Sequence, residues 1–230
     1  MIGHLERELE KLKKQILALG ALAESRVEAA VKAVEDLDEK AAEWIITADH
    51  EVDEKEVEVE EECLKLLALY QPVAVDLRFI AVVIKINNDL ERIADEAVNM
   101  ARRVKDIRRL PSPPANGRTT AFDVREMGEK TLVMLKKSLD ALVHLDTDLA
   151  YMVLFRDDEV DDLYKKASTA LQDAISRDPL QVGLWLNLLF AARHLERIGD
   201  HATNIAEEVI YLVQGQTVRH MDVKSLKGVK

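Results

Sequence analysis

At 230 residues the chain is long enough for one large domain or two small ones, and either can bury a core without disulfides. Hydrophobic residues make up 48% and charged residues 33%, with only 4% aromatics, 8 Gly and 5 Pro, which excludes collagen-like, low-complexity and disordered classes and points to long helices. Acidic residues outnumber basic ones 43 to 32, and the net charge of -11 argues against nucleic acid as a partner.

In chain order, Leu5, Leu9, Leu12, Ile16, Leu19, Ala23, Val27, Ala30 and Val34 recur mostly in steps of three and four, the stripe of a long amphipathic helix. A second helical pattern spans residues 39–69 through Trp44, Ile45, Ala48, Val52, Val59, Cys63 and Leu66. Gln71-Pro72 then breaks the chain, and a third helix is predicted over residues 73–107. Pro111, Pro113 and Pro114 mark a linker. Beyond it the plan repeats: helices over residues 121–145 and 149–176, a break at Arg177-Asp178-Pro179, and a last helix to Gln214. The expected organisation is all-α: a first three-helix bundle at residues 1–109, a linker at 110–119, a second three-helix bundle at 120–215 and a basic tail at 216–230.

The lone cysteine, Cys63, cannot form an internal disulfide or a cysteine-based zinc site and reads as a small buried hydrophobe. The N-terminal residues lack the basic start and apolar run of a signal peptide, and the most apolar stretch, residues 183–192, falls far short of the ~20 residues a membrane span needs. A cytoplasmic location is expected. Trp44, Phe79, Trp185 and Phe190 lie among apolar neighbours and are expected to pack in the core or between helices.

The duplication is visible residue by residue. Leu90-Glu91-Arg92-Ile93-Ala94-Asp95 matches Leu195-Glu196-Arg197-Ile198-Gly199-Asp200, and Asn99 matches Asn204, at an offset of 105. Asp49-His50-Glu51-Val52-Asp53 matches Asp157-Asp158-Glu159-Val160-Asp161 at an offset of 108, with the change placed in the turn between second and third helix.

Each half therefore offers two acidic pairs spaced i,i+4, which share a helix face one turn apart: Asp49/Asp53 with Glu91/Asp95, and Asp157/Asp161 with Glu196/Asp200. Carboxylates so arranged on neighbouring helices suit cations that favour oxygen ligands. On a helical wheel Glu91, Asp95 and Asn99 oppose the apolar stripe, while Asp49 and Asp53 lie at its edge, so the pairs would meet in an open groove between helices rather than in a core. The same spacing also occurs on ordinary solvated helix faces, where Arg92 and Arg197 would pair with Asp95 and Asp200 for only ~0.2–0.5 kcal/mol. His194 and His201 project away from Glu196 and Asp200; their repeat counterparts are Asp89 and Glu96, and both are expected at the surface or in a groove. No histidine has a glutamate three positions before it, which removes the ferritin-like di-metal template, and no Gly-rich phosphate loop or nucleophile motif appears. The residues alone leave three classes open: a non-enzymatic signalling adaptor, a two-metal hydrolase and a structural, chaperone-adaptor-like bundle.

The segment Gln71-Pro72-Val73-Ala74-Val75-Asp76-Leu77-Arg78, followed by residues 90–95 and by Arg193-His194-Leu195-Glu196-Arg197-Ile198-Gly199-Asp200-His201-Ala202-Thr203-Asn204-Ile205-Ala206-Glu207, resembles the PhoU family of bacterial phosphate-uptake regulators. The resemblance covers both halves from near residue 4 to near residue 215. It implies a cytoplasmic, usually dimeric regulator that works with the phosphate ABC transporter ATPase and the phosphate-sensing histidine kinase, restrains the phosphate-starvation response and meets the membrane only through its partners. It also implies metal clusters held by Glu/Asp-x-x-x-Asp motifs. Here those fall on Asp49, Asp53, Glu91, Asp95, Asp157, Asp161, Glu196 and Asp200, with iron, manganese, zinc or magnesium as the candidate ions. Ala94 and Glu96 stand where the second half has Gly199 and His201, so the first site is expected to differ in affinity or metal.

Overall fold

The structure is a computed structural model that describes residues 2–119 and 121–219. The chain starts with α1 (Ile2–Asp36), which ends where Leu37 turns to φ 49. Asp38 then caps α2 (Glu39–Thr47) by accepting the backbone N–H groups of Lys40 and Ala41 at 2.9 and 3.1 Å. The second half repeats the device at an offset of 108: α5 (Val124–His144) ends at Leu145 with φ 52, and Asp146 caps α6 (Thr147–Arg177) by accepting the N–H groups of Asp148 and Leu149 at 2.8 and 3.1 Å. Proline-containing turns lead into α4 (Ala74–Arg108) and, after a short 3-10 turn (Pro179–Gln181), into α7 (Val182–Gln214).

One expected helix is in fact two. Residues 39–69 divide into α2 and α3 (His50–Tyr70), with the break at Ala48 and Asp49. Neither Gly nor Pro causes it. Three side chains satisfy the freed carbonyls: Thr47 Oγ1 donates to Glu43 O at 2.9 Å, the His50 ring sits 2.8 Å from Thr47 O, and the buried Arg26 reaches Ala48 O at 3.5 Å. No such break occurs in α6, which runs through the equivalent position.

α1, α3 and α4 form one bundle, with α2 against α1 and α4, and α5, α6 and α7 form the other. They are not separate cores: α4 lies along α7 and α1 along α5, and the buried side chains make one continuous cluster. A pseudo-twofold relates the halves across these contacts. Gly20 lets α1 approach Leu139 on α5, while Gly128 lets α5 approach Val31 on α1; a Cβ at either glycine would fall 2.7 or 2.6 Å from the opposing side chain. The proline linker is tied down, since Gly117 N–H donates to Glu35 O at 2.9 Å and Arg108 Nε to Leu37 O at 2.8 Å.

The aromatic expectation needs correcting. Trp44 and Phe190 are 48% and 46% exposed. Each ring is instead stacked by a guanidinium, Arg26 at 4.3 Å and Arg103 at 5.7 Å from the ring centroids, which uses the ring face without burying the whole side chain. Phe79 and Trp185 are partly buried against the core, and Cys63 is fully buried. Of the basic tail, Val218 is buried and Arg219 pairs with Glu207 and Glu208; residues 220–230 lie outside the described residues. No described helix is long and apolar enough to cross a membrane.

Candidate metal centre

In the second half, α6 carries Asp157 and Asp161 one turn apart and α7 carries Glu196 and Asp200 in the same way. Between them Gly199 presents no side chain, and a Cβ built there would make only ordinary contact with α6, 3.6 Å from Val160 Cγ1 and 3.9 Å from Asp157 Oδ1. Asp157, Asp161 and Asp200 each bring one carboxylate oxygen to within 4.8 Å of the others. Burial, followed by the charges of Asp161, Asp200, Asp158 and Glu196, pushes the Asp157 carboxyl up to about 7. Asp200 and Glu196 also rise, again through burial first and then through their acidic neighbours, although Arg193 and Arg197 oppose both shifts. Glu196 is held by Arg193 through one oxygen, while its other oxygen, Oε2, is buried without a hydrogen-bond partner.

The first half assembles the matching set from α3 and α4. Asp49 feels the charges of Asp53 and Asp95, and Glu91 those of Asp95 and Asp53. Burial leads the rise of both Asp49 and Glu91. Two cations, Arg102 and Arg26, work against the rise at Asp49, and Arg92 does so at Glu91, where its Nε lies 3.4 Å from Oε2. Among the described residues, the set of three carboxylates close enough to share one ion occurs in the second half.

The second-half group therefore fits a cation held by oxygen ligands, because crowded carboxylates are reluctant to ionise together and a bound ion would relieve that repulsion. Sequence spacing selects these eight residues, of which the structure brings Asp157, Asp161 and Asp200 within 4.8 Å of one another. It missed Glu56, one turn beyond Asp53, whose carboxyl is raised by burial, then by Glu60 and Asp53, and which also influences Glu91. The continuing i,i+3 spacing after Asp53 was the available signal. Arg26 was missed as well, because a charged residue on an apolar stripe leaves no periodic trace.

The two histidines lie in the groove between α4 and α7 rather than at the carboxylate clusters. His194 Nδ1 is 2.6 Å from Glu96 Oε2, and His201 Nδ1 is 2.9 Å from Asp89 Oδ1. Each histidine thus faces the repeat counterpart of the other, which the pseudo-twofold requires. Burial alone would raise Glu96, but the His194 ring and the Arg197 guanidinium outweigh it and hold its carboxyl below the usual range.

An all-α chain folded twice upon itself, with a four-carboxylate groove repeated in each half, defines a class of internally duplicated helical proteins built around paired acidic clusters. The family model described as the PhoU domain matches the chain twice, at residues 16–104 and 124–209. A relative from Pseudomonas aeruginosa, a phosphate-specific transport system accessory protein PhoU homolog, is 40% identical over 220 residues, covering 96% of this chain and 89% of the relative. One of the same description from Clostridium acetobutylicum is 40% identical over 217 residues, covering 93% and 95%. The crystal structure of PhoU from Pseudomonas aeruginosa superposes with a TM-score of 0.86 at 41% identity, covering 92% of this chain and 99% of that one. The chain belongs to the PhoU family.

Proposed function

We propose that this chain is an accessory protein of a phosphate-specific transport system. In this reading it is cytoplasmic, homodimeric and non-enzymatic, and it restrains the phosphate-starvation response through contacts with the transporter ATPase and the phosphate-sensing histidine kinase. Family membership over nearly the whole length supports the reading, because the relatives at 40% identity carry that description. The second part of the proposal is that the two clusters hold divalent or trivalent metal ions, with iron, manganese, zinc or magnesium as candidates. The observation that carries it is the convergence of Asp157, Asp161 and Asp200 within 4.8 Å beside the unpartnered Glu196 oxygen.

A bound ion would supply positive charge that neutralises the grooves. The chain's own residues do the rest: α6 and α7 hold their carboxylates at fixed separation, and Arg193 and Arg197 on the flank limit how negative the empty groove becomes. Elemental analysis of protein purified without chelators tests the metal reading. Protein-bound metal is expected, lost when Asp157, Asp161, Glu196 and Asp200 are replaced by Asn or Gln together with their first-half counterparts. Pull-down with the transporter ATPase and the kinase tests the regulatory reading, and failure to retain either at any phosphate level would overturn it.

A further inference from the structure

The halves also differ at the two ends of the molecule. α4 runs antiparallel to α7, with Arg78 reaching Leu212 and Arg103 reaching Asn187, so the pseudo-twofold exchanges one end for the other. At one end Leu37, where α1 stops, is fully buried: Arg108 Nε donates to its carbonyl at 2.8 Å, and a Cβ on Gly117 of the linker would fall 3.5 Å from its Cδ2. Its repeat counterpart at the other end, Leu145, is 48% exposed. There Val213 stands in place of Arg108 and Gly215 in place of Leu110, so the guanidinium that holds the linker and the leucine that packs over Gly183 both lack an equivalent. The result is a cavity of about 400 Å³ between α1, the start of α4, Leu145 and the end of α7. Val75 and Val213 on its walls are exposed, and Val73 and Leu69, in the approach to α4, are more exposed still.

An exposed aliphatic patch rimmed by polar groups marks a binding surface, and here the rim selects the partner. It carries two acids, Glu10 and Asp76, and two bases, Lys13 and Arg78, on a chain whose net charge is -11. Copies of so acidic a chain repel one another over most of their surface, and this end is a neutral exception. A twofold axis through such a patch makes every contact twice, residue i of one copy on j of the other and the reverse. Acid then meets base in both directions, and the protruding Val73 and Leu69 of each copy meet the cavity of the other. The opposite end lacks the pattern: Gln181 and Gly183 stand there for Asp76 and Arg78, although Leu180, the counterpart of Val75, is also exposed.

From the open cavity, its exposed aliphatic walls and the self-complementary charges around it, we infer that this end of the molecule is the surface on which a second copy of the chain docks, through an isologous interface. The inference rests on the homodimeric reading proposed above and gives it a location. The second copy does for Leu145 what the proline linker does for Leu37, covering the end of the α1-type helix that the chain itself leaves bare. It also leaves both carboxylate clusters, which lie between α3 and α4 and between α6 and α7, outside the contact.

The test is sedimentation velocity of the full chain over a concentration series. The unmodified chain is expected to sediment as a dimer. Val75→Glu and Val213→Glu, each felt twice across the axis, should raise the dimer dissociation constant by about a hundredfold, the scale of losing a central apolar contact. Glu10→Lys should weaken the dimer by about tenfold, and Glu10→Lys combined with Lys13→Glu should restore it, which a merely destabilised fold would not do. Leu180→Glu, at the opposite end, should leave the dimer unchanged. All these positions except Lys13 are exposed, and circular dichroism checks that each variant keeps its helices. A dimer unmoved by Val75→Glu, Val213→Glu and Glu10→Lys, or one dissociated as strongly by Leu180→Glu, would overturn this inference and leave the homodimeric reading standing. A monomer at every concentration would overturn both.

Discussion

The two carboxylate grooves are copies that have diverged in their surroundings more than in their ligands. In the second half α6 is continuous, Gly199 faces it from α7, and three aspartate oxygens crowd together. In the first half the corresponding helix is broken, Ala94 stands in place of Gly199, and the buried Arg26 pairs with Glu51 beside the break. Duplication of a helix pair carries its acidic face along automatically. Whether the copy works in the same way depends on the residues around that face.

The largest effects should come from what the halves share. Leu90 and Leu195 are repeat counterparts, both fully buried in one continuous cluster. Replacing either by Ala should cost about 2–5 kcal/mol. Because the core is continuous, each variant should still melt in a single transition by calorimetry. Two separate transitions would show that the bundles unfold independently, and the comparison of halves would become a comparison of domains.

Next in size is a pH effect that is strongest in the second half. Asp157 titrates at about 7 in the folded protein against 3.8 ordinarily, so between those values the folded chain holds a proton that the unfolded chain releases. Stability of the metal-free protein is therefore greatest toward the acid side of this window and falls as pH rises from about 4 through 7. Asp157→Asn should flatten this slope and stabilise the metal-free protein at neutral pH, as read by thermal melts across the window. Asp49 is also raised, but with two arginines opposing the shift its Asn variant should change the slope less. A larger effect at Asp49 would reverse the order of the two clusters.

These contrasts also separate what the chain's pattern reveals from what it conceals. The start of α2 was legible at residue 39, whereas that of α6 falls at Thr147, two residues before the expected 149, where Asp146 caps it. The α2–α3 break was not legible, because neither Gly nor Pro marks it and one of the side chains that meet its carbonyls, Arg26, reaches across from α1, 22 residues away in sequence. The single core was hidden for a similar reason. Periodicity reports that a face is buried but not by what, and the stripes of α4 and α7 face each other as well as their own bundles. The pairing of His194 with Glu96 and of His201 with Asp89 was half legible, since the repeat identified the partners but not the crossing that joins them.

A smaller and more pointed experiment concerns three glycines that look alike in sequence. Gly199, Gly128 and Gly20 all lie inside helices, where Ala is ordinarily better by ~1 kcal/mol. At Gly199 a Cβ meets its neighbours at 3.6–3.9 Å, which is ordinary contact, so Gly199→Ala should raise stability by about 1 kcal/mol, or roughly 2–4 °C in Tm. It would also give the second half the residue that the first half already has at Ala94. At Gly128 a Cβ would fall 2.6 and 2.7 Å from both γ-carbons of Val31, whose β-branched side chain has little freedom to turn away, so Gly128→Ala should destabilise despite the same gain in helix propensity. Gly20 opposes the more adaptable Leu139, and its Ala variant should fall between the two. If Gly199→Ala instead lowered Tm, the close approach of α6 to α7 would be tighter than ordinary contact.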